Sequence, residues 1–486
     1  MYKIIQKPFI LSVVISIMYL SACQSGNDTP PNIVFVLADQ WRAMDLGYAG
    51  NPQVHTPNFD KLAGESINFV NAVSTTPVCS PTRASLLTGQ YPLTHGVFHN
   101  DKPLPDEALT FAEILKGKGY VTGYIGKWHV NGHAKGENVR DGRTRPVPKE
   151  RRQGFDYWKV HECTHDYNQS LYFDEENNEH QWEGYDAFSQ TDSAIQFIEK
   201  NKDKTFLLYL SWGPPHNPYQ TAPEKYVKMV DSVGIALRPN VPDTLAAIAV
   251  KELKGYYAHI AALDDAMGRL QETIQKAGIE NNTLFIFTSD HGDMIHSQGM
   301  VRKQKPWDES VRVPFLLKYP KLLGKSGREE RKPIGTVDVM PTMLGLAGVE
   351  SPGTVQGINF SAYLKGDSAL SVEGAMIMLP VPFHEWTYRK GGRDYRGIRS
   401  ERYTYAITHD GPWLLYDNEK DPWQQHNLVD SGELEHVEIR EKLAKALAKL
   451  MSRANDEFLT GHEYMKRWNY DWDNLDSLKS DMPVSE

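Results

Sequence analysis

Three cysteines in 486 residues, Cys23, Cys79 and Cys163, cannot build a disulfide framework, so stability has to come from a packed core. No block of Lys and Arg stands out: 53 basic residues against 62 acidic ones leave a net charge of −9. The chain therefore lacks the electrostatic footprint of a nucleic-acid binder, and an anionic substrate would have to be met by individual Arg and Lys side chains. The apolar run 9–20 is too short to serve as a permanent membrane-spanning helix. Internal repeats and low-complexity tracts are absent as well. What is left is the composition of a globular enzyme of about two domains, with ample chain for a large core.

Lys3 and Lys7 precede the apolar run, the layout of an export signal. It ends in Leu20-Ser21-Ala22-Cys23, which resembles a bacterial lipobox, with cleavage before Cys23 and lipidation of its thiol. On this reading residues 1–22 are a lipoprotein signal peptide and 23–31 a polar tether. The protein is then exported and anchored to the outer membrane facing the periplasm, or at the cell surface, with the lipid at Cys23 as its membrane contact.

Four apolar runs, 32–38, 120–125, 205–210 and 283–288, read as strands buried on both faces of a parallel sheet. Helical patterns at 109–118, 192–201 and 256–277 alternate with them, which argues for an open α/β sheet. Each strand runs into polar residues: Asp39-Gln40, then Lys127-Trp128-His129, then Ser211 to His216, then Asp290-His291-Gly292-Asp293. Ligands of open α/β sheets bind beyond the carboxyl ends of the strands, so four separate segments point to one site. A single acidic residue at a strand end is commonly a helix cap. Two strand-end pairs, Asp39-Gln40 and Asp290-His291, form an oxygen-rich set that suits a hard cation, Ca²⁺ before Mg²⁺.

The stretch 74–90, STTPVCSPTRASLLTGQ, sets Cys79 ahead of a short helix that Pro81 helps to start and Gly89 ends. Cys79 then lies at the positive end of that helix, with Arg83 one turn on. The run C-S-P-T-R-A-S-L-L-T-G resembles the signature of type I sulfatases, eleven residues in register. The resemblance implies the alkaline-phosphatase-like sulfatase fold and conversion of Cys79 by a maturation enzyme to Cα-formylglycine, the nucleophile. It implies one Ca²⁺ at Asp39, Gln40, Cys79, Asp290 and His291, where Gln40 and His291 depart from the family's usual Asp and Asn. It also implies catalytic roles for Arg83, Lys127, His129, His216 and Lys303. Lys127 and Lys303 would neutralise sulfate oxygens, His216 would protonate the leaving oxygen, with Lys303 as its possible companion, and His129 would act as the base that frees sulfate. Lys303 is aligned through Arg312 and Pro314 of the segment 299–314, and Lys305 is the second choice. With Cys23 lipidated and Cys79 converted, Cys163 has no disulfide partner.

Candidate substrate contacts are His165, Asp166, Trp212, His384 and Arg393, with Trp182, Trp386, Arg389 and Arg396 as further aromatic and charged groups, since such mixtures suit sugars bearing sulfate or carboxylate. His95 and residues 99–101 are weaker candidates. The catalytic α/β domain is placed at 32–370. A C-terminal subdomain follows at 371–486, a small antiparallel sheet with turns at Asp410-Gly411 and Asp421-Pro422 and a helix carrying Leu443, Leu447 and Leu450 on one face. The resemblance is greatest to bacterial carbohydrate sulfatases acting on a sulfated polysaccharide or oligosaccharide, such as ulvan, carrageenan or glycosaminoglycan. Two alternatives stay open: a phosphonate monoester hydrolase or phosphodiesterase of the same fold, and a non-catalytic glycan-binding lipoprotein.

Overall fold

A computed structural model describes residues 29–133 and 139–470 together with Met1 and Tyr2. The expected signal peptide and lipidated Cys23 lie outside the described residues, as does 471–486. Strand Asn32–Asp39 (β1) is buried along its whole length, because its side chains feed two cores in turn. Val34, Val36 and Ala38 enter one, and Ile33, Phe35 and Leu37 the other. That explains why the run is apolar without alternation.

Along the chain follow Ile67–Phe69 (β2), Ala72–Val73 (β3), Val121–Lys127 (β4), Tyr157–His161 (β5), Leu171–Phe173 (β6), Glu179–Gln181 (β7) and Phe206–Pro215 (β8). Thr283–Ser289 (β9), Phe315–Lys318 (β10), Arg328–Glu330 (β11) and Ile334–Gly335 (β12) come next. All but β3 and β12, which pair with each other, form one sheet in the order β11-β2-β10-β9-β1-β8-β4-β5-β6-β7. Its central block, β9-β1-β8-β4-β5, is parallel. Antiparallel joins begin outside it, at β10 and β6. This is the expected mixed, mostly parallel α/β architecture.

Helices Asp186–Asn201 and Ala246–Lys276 cover one face, and Cys79–Thr88, Phe111–Gly117 and Thr336–Leu346 cover the other. The long helix starts ten residues before the expected 256, because Ala249 and Leu253 extend its buried stripe. Thr110 and Glu113 form a capping box at the start of Phe111–Gly117.

A second, antiparallel sheet takes Ala375–Leu379 (β13), Tyr395–Arg399 (β14), Tyr403–Thr408 (β15) and Gly411–Asp417 (β16) in chain order. Helix Leu434–Arg453 packs on it through Leu443, Ala446 and Leu447. The small sheet is tied to the rest of the fold: Met378 N–H donates to Thr75 O at 2.7 Å, and Arg399 is paired with Asp308 at 2.9 Å.

Candidate active site

The site forms where β1, β4, β8 and β9 end. Gly126, at φ +100°, lets the end of β4 close on β8: a Cβ there would stand 2.1 Å from Ser211 O. Cys79 is the first residue of its helix and only 1 % exposed. Burial and Asp39 push its thiol up, yet Lys127 and Lys303 hold it well below the usual thiol range. Arg83, one turn on, is a buried clasp. Its Nη1 donates to Lys127 O at 3.0 Å and Ser211 Oγ at 2.7 Å, and its Nη2 to Asp39 Oδ2 at 3.2 Å and Asp290 Oδ2 at 3.0 Å.

Asp39, Cys79, Asp290 and His291 each turn one donor atom inward, all within 4.8 Å of one another and all buried. Burial pushes both carboxyls up. Lys127 and Arg83 reverse this for Asp39, whereas Asp290 stays raised because Asp39 stands beside it. Two carboxylates pressed together in a dry site are what a cation relieves. One further atom, from Gln40, fits a cation. Gln40 commits its Nε2 to Asp293 Oδ2 at 2.6 Å and leaves its buried Oε1 without a hydrogen-bond partner. His291 pairs Nδ1 with Gly292 O at 2.9 Å, so the Nε2 lone pair is the one turned to Cys79 Sγ, 3.2 Å away. Lys127 closes the set, donating to Asp39 Oδ2 at 2.7 Å.

On the other side of Cys79, Lys303 Nζ donates to its sulfur at 2.9 Å and to His216 Nε2 at 3.1 Å. His216 gives its Nδ1 proton to Asn217 O at 2.7 Å, and its ring stacks on His165 with centroids 4.3 Å apart. Burial, Lys303 and His165 together depress its pKa well below the usual imidazole value, so His216 is neutral and Lys303 carries the proton. Beside Lys127, His129 Nε2 lies 3.1 Å from Asp101 Oδ1, and Arg143 grips the same carboxylate at 2.7 and 2.6 Å.

The sulfatase family model matches residues 31–349, and the model for the C-terminal part of N-sulphoglucosamine sulphohydrolase matches 297–453. The chain belongs to the sulfatase family. An ulvan-active sulfatase of Formosa agariphila is 45 % identical to this sulfatase over 92 % of its chain and 86 % of the relative. The crystal structure of the putative sulfatase yidJ of Bacteroides fragilis superposes with a TM-score of 0.80 at 28 % identity, covering 90 % of this chain and 97 % of that one. A phosphonate monoester hydrolase of Agrobacterium radiobacter has the same fold, with TM-score 0.71 at 22 % identity over 87 % and 96 % of the two chains.

This sulfatase brings Asp39, Gln40, Cys79, Arg83, Lys127, His216, Asp290, His291 and Lys303 into one group, with His129 beside Lys127 and His165 against His216. Lys305 is not the lysine at Cys79: its Nζ donates to Val301 O at 2.7 Å and lies under the Trp386 ring. Trp212 is no sugar platform. It is fully buried and continues the alternation Leu208, Leu210 into the core, with Nε1 on Thr191 Oγ1 at 3.2 Å. Asp166 is exposed and accepts the backbone N–H groups of its own turn. Arg396 is a structural residue paired with Asp456, and Trp182 is buried against Tyr172. His95 is locked between Ser85 Oγ and Val97 N. His384 and Arg393 are exposed, with Arg393 over the Trp413 ring.

Sequence reasoning missed Ser211 as a partner of Arg83, Asp293 as the anchor of Gln40, and Arg143. The strand-end position of Ser211 was the available signal for the first. Arg143 lies in a short helix with no motif to mark it.

Proposed function

We propose that this sulfatase hydrolyses sulfate esters of a carbohydrate, through a formylglycine at Cys79 and one Ca²⁺ held by Asp39, Gln40, Asp290 and His291. The observation that carries the reading is Cys79 at the buried head of its helix, between a cluster of cation donors and the Lys303–His216 pair. The 45 % identity to an ulvan-active sulfatase favours a sulfated polysaccharide or oligosaccharide as substrate. The formylglycine would supply an oxygen nucleophile that a thiol lacks, and Ca²⁺ would offset negative charge on the sulfate oxygens.

The chain's own residues do the rest. Lys127 and Lys303 present buried ammonium groups to the sulfate, the clamp that transfer of a charged group needs. Arg83 fixes the two carboxylates. The proton for the leaving sugar oxygen sits on Lys303 Nζ, and the neutral His216 holds that ammonium through its Nε2. The sequence expectation of His216 as the acid is thereby turned round within the pair. Asp39 and the Cys79 thiolate both raise Lys303, so an uncharged group at position 79 would make it a stronger acid. His129 is the base, through the ring nitrogen not committed to Asp101, which lies beside the Cys163 thiol. Export as a lipoprotein through Cys23 belongs to the same proposal, because a polysaccharide substrate lies outside the cytoplasm.

Intact-mass analysis of the tryptic peptide carrying Cys79, from protein co-expressed with a maturation enzyme, should show a loss of about 18 Da. Sulfate release from sulfated oligosaccharides should then far exceed hydrolysis of phosphate and phosphonate esters. An unmodified thiol after competent maturation overturns the nucleophile, and a preference for phosphonate monoesters overturns the substrate class.

A further inference from the structure

His129 occupies a strained position. Its φ is +59°, in the left-handed region that a side chain larger than glycine adopts at a cost, and Asp101 opposite it has φ +60°. Both side chains are buried, at 2 % and 9 % exposure, and they meet across 28 residues of sequence through the 3.1 Å contact between Nε2 and Oδ1. The carboxylate is fixed from behind. Arg143 Nε reaches Oδ1 and Nη2 reaches Oδ2, a two-pronged grip that sets the plane of the carboxylate. The backbone is held as well, since Asp101 N–H donates to Ser80 Oγ at 3.3 Å, next to Cys79. A loop residue with three separate restraints is not ordinary surface polarity.

From this geometry we infer that Asp101 is a positioning residue of the sulfatase reaction: it fixes His129 with Nε2–H bonded to carboxylate and Nδ1 as the working nitrogen, while Arg143 fixes Asp101. The inference rests on the reading of His129 as the base. A carboxylate on one imidazole nitrogen selects the tautomer and stabilises the imidazolium formed when the other nitrogen takes a proton. The charges around the pair agree. Burial opposes the imidazolium, but the charge and hydrogen bond of Cys163 and the hydrogen bond that Asp101 accepts raise His129 well above the usual value, against the nearby Lys127. Glu162, whose carboxyl is pushed up to about 7 by burial, also faces His129. Asp101 itself stays ionised: burial opposes this, and the hydrogen bonds from His129 and Arg143 prevail. His99 and His384 also sense Asp101.

The sign of each substitution follows. Asp101→Asn removes the anion, so the imidazolium loses its counter-charge and the acidic limb of kcat/KM moves to lower pH. Arg143→Met removes a cation that opposes the imidazolium, so the limb moves to higher pH. The test is the pH profile of the matured enzyme and of these two variants on a sulfated sugar, with the ¹⁵N-histidine signal of His129, assigned by difference against His129→Gln, titrated in each. We expect the limb and the His129 midpoint to fall by about one pH unit or more in D101N. The plateau should fall ~10–100-fold, and both midpoints should rise in R143M. The isosteric Asn preserves the fold, and R143M supplies the second measurement should it not. Unchanged midpoints in both variants overturn the proposal. So does a His129 midpoint that follows Cys163→Ser and ignores D101N. A wild-type plateau in H129Q would instead remove His129 as the base, while the NMR titration still reports the Asp101 hydrogen bond on its own.

Discussion

Lys303 donates at once to Cys79 Sγ and to His216 Nε2, so one ammonium couples the nucleophile position to the leaving-group side. The pair can deliver a proton only if His216 remains an acceptor, which its Nδ1–H bond to Asn217 O ensures. His216→Ala should therefore lower kcat by ~10²–10⁴ on sugar sulfates, where the leaving alcohol needs a proton. It should cost much less on an activated aryl sulfate. Equal losses on the two substrates would deny the pair that role. His95 illustrates a different kind of buried imidazole. Burial depresses it to about 3, so it is neutral in the fold. The unfolded chain protonates near pH 6.5, hence stability is complete above that pH and is lost as pH falls from 6.5 towards 3. In His95→Gln, denaturant titrations across this range should give a shallower loss, by up to about 1.4 kcal/mol per pH unit.

Among the elements, β4 and β8 bear a strict steric demand. Gly126→Ala would drive a Cβ into Ser211 O, at a φ that L side chains avoid, and should cost ~4 kcal/mol or more. Soluble, normally melting G126A protein would show that β8 can give way. The strands themselves were legible because burial on both faces writes an uninterrupted apolar run, and their polar ends marked the site. Ending β8 at Leu210 hid what followed. The strand continues to Pro215, and period two from Leu208 and Leu210 already assigns Trp212 to the core. The short strands β6, β7 and β11 and the first strand of the small sheet, β13, carry too few residues to declare a period. Asp101 and Arg143 could not be paired from sequence, since the contact joins an irregular loop to a short helix 42 residues away.

For the molecule as a whole, the buried carboxylates at the ends of β1 and β9, Asp39 and Asp290, share Arg83 as a common counter-charge, and the proposed cation would relieve their repulsion. Chelation should abolish turnover and lower the thermal midpoint, and Ca²⁺ should restore both. At 100 times its dissociation constant the stabilisation is about 2.7 kcal/mol. A midpoint and rate indifferent to chelator would remove the metal from the proposal. The same strand order has a consequence in time. Gln40 and Asp290 are hydrogen-bonded across 250 residues, and Lys303 reaches Cys79 across 224. During synthesis, Cys79 thus emerges long before the residues that will bury it. An enzyme that modifies this cysteine has its opportunity in that interval, and once β9 docks beside β1 the sulfur is shut in.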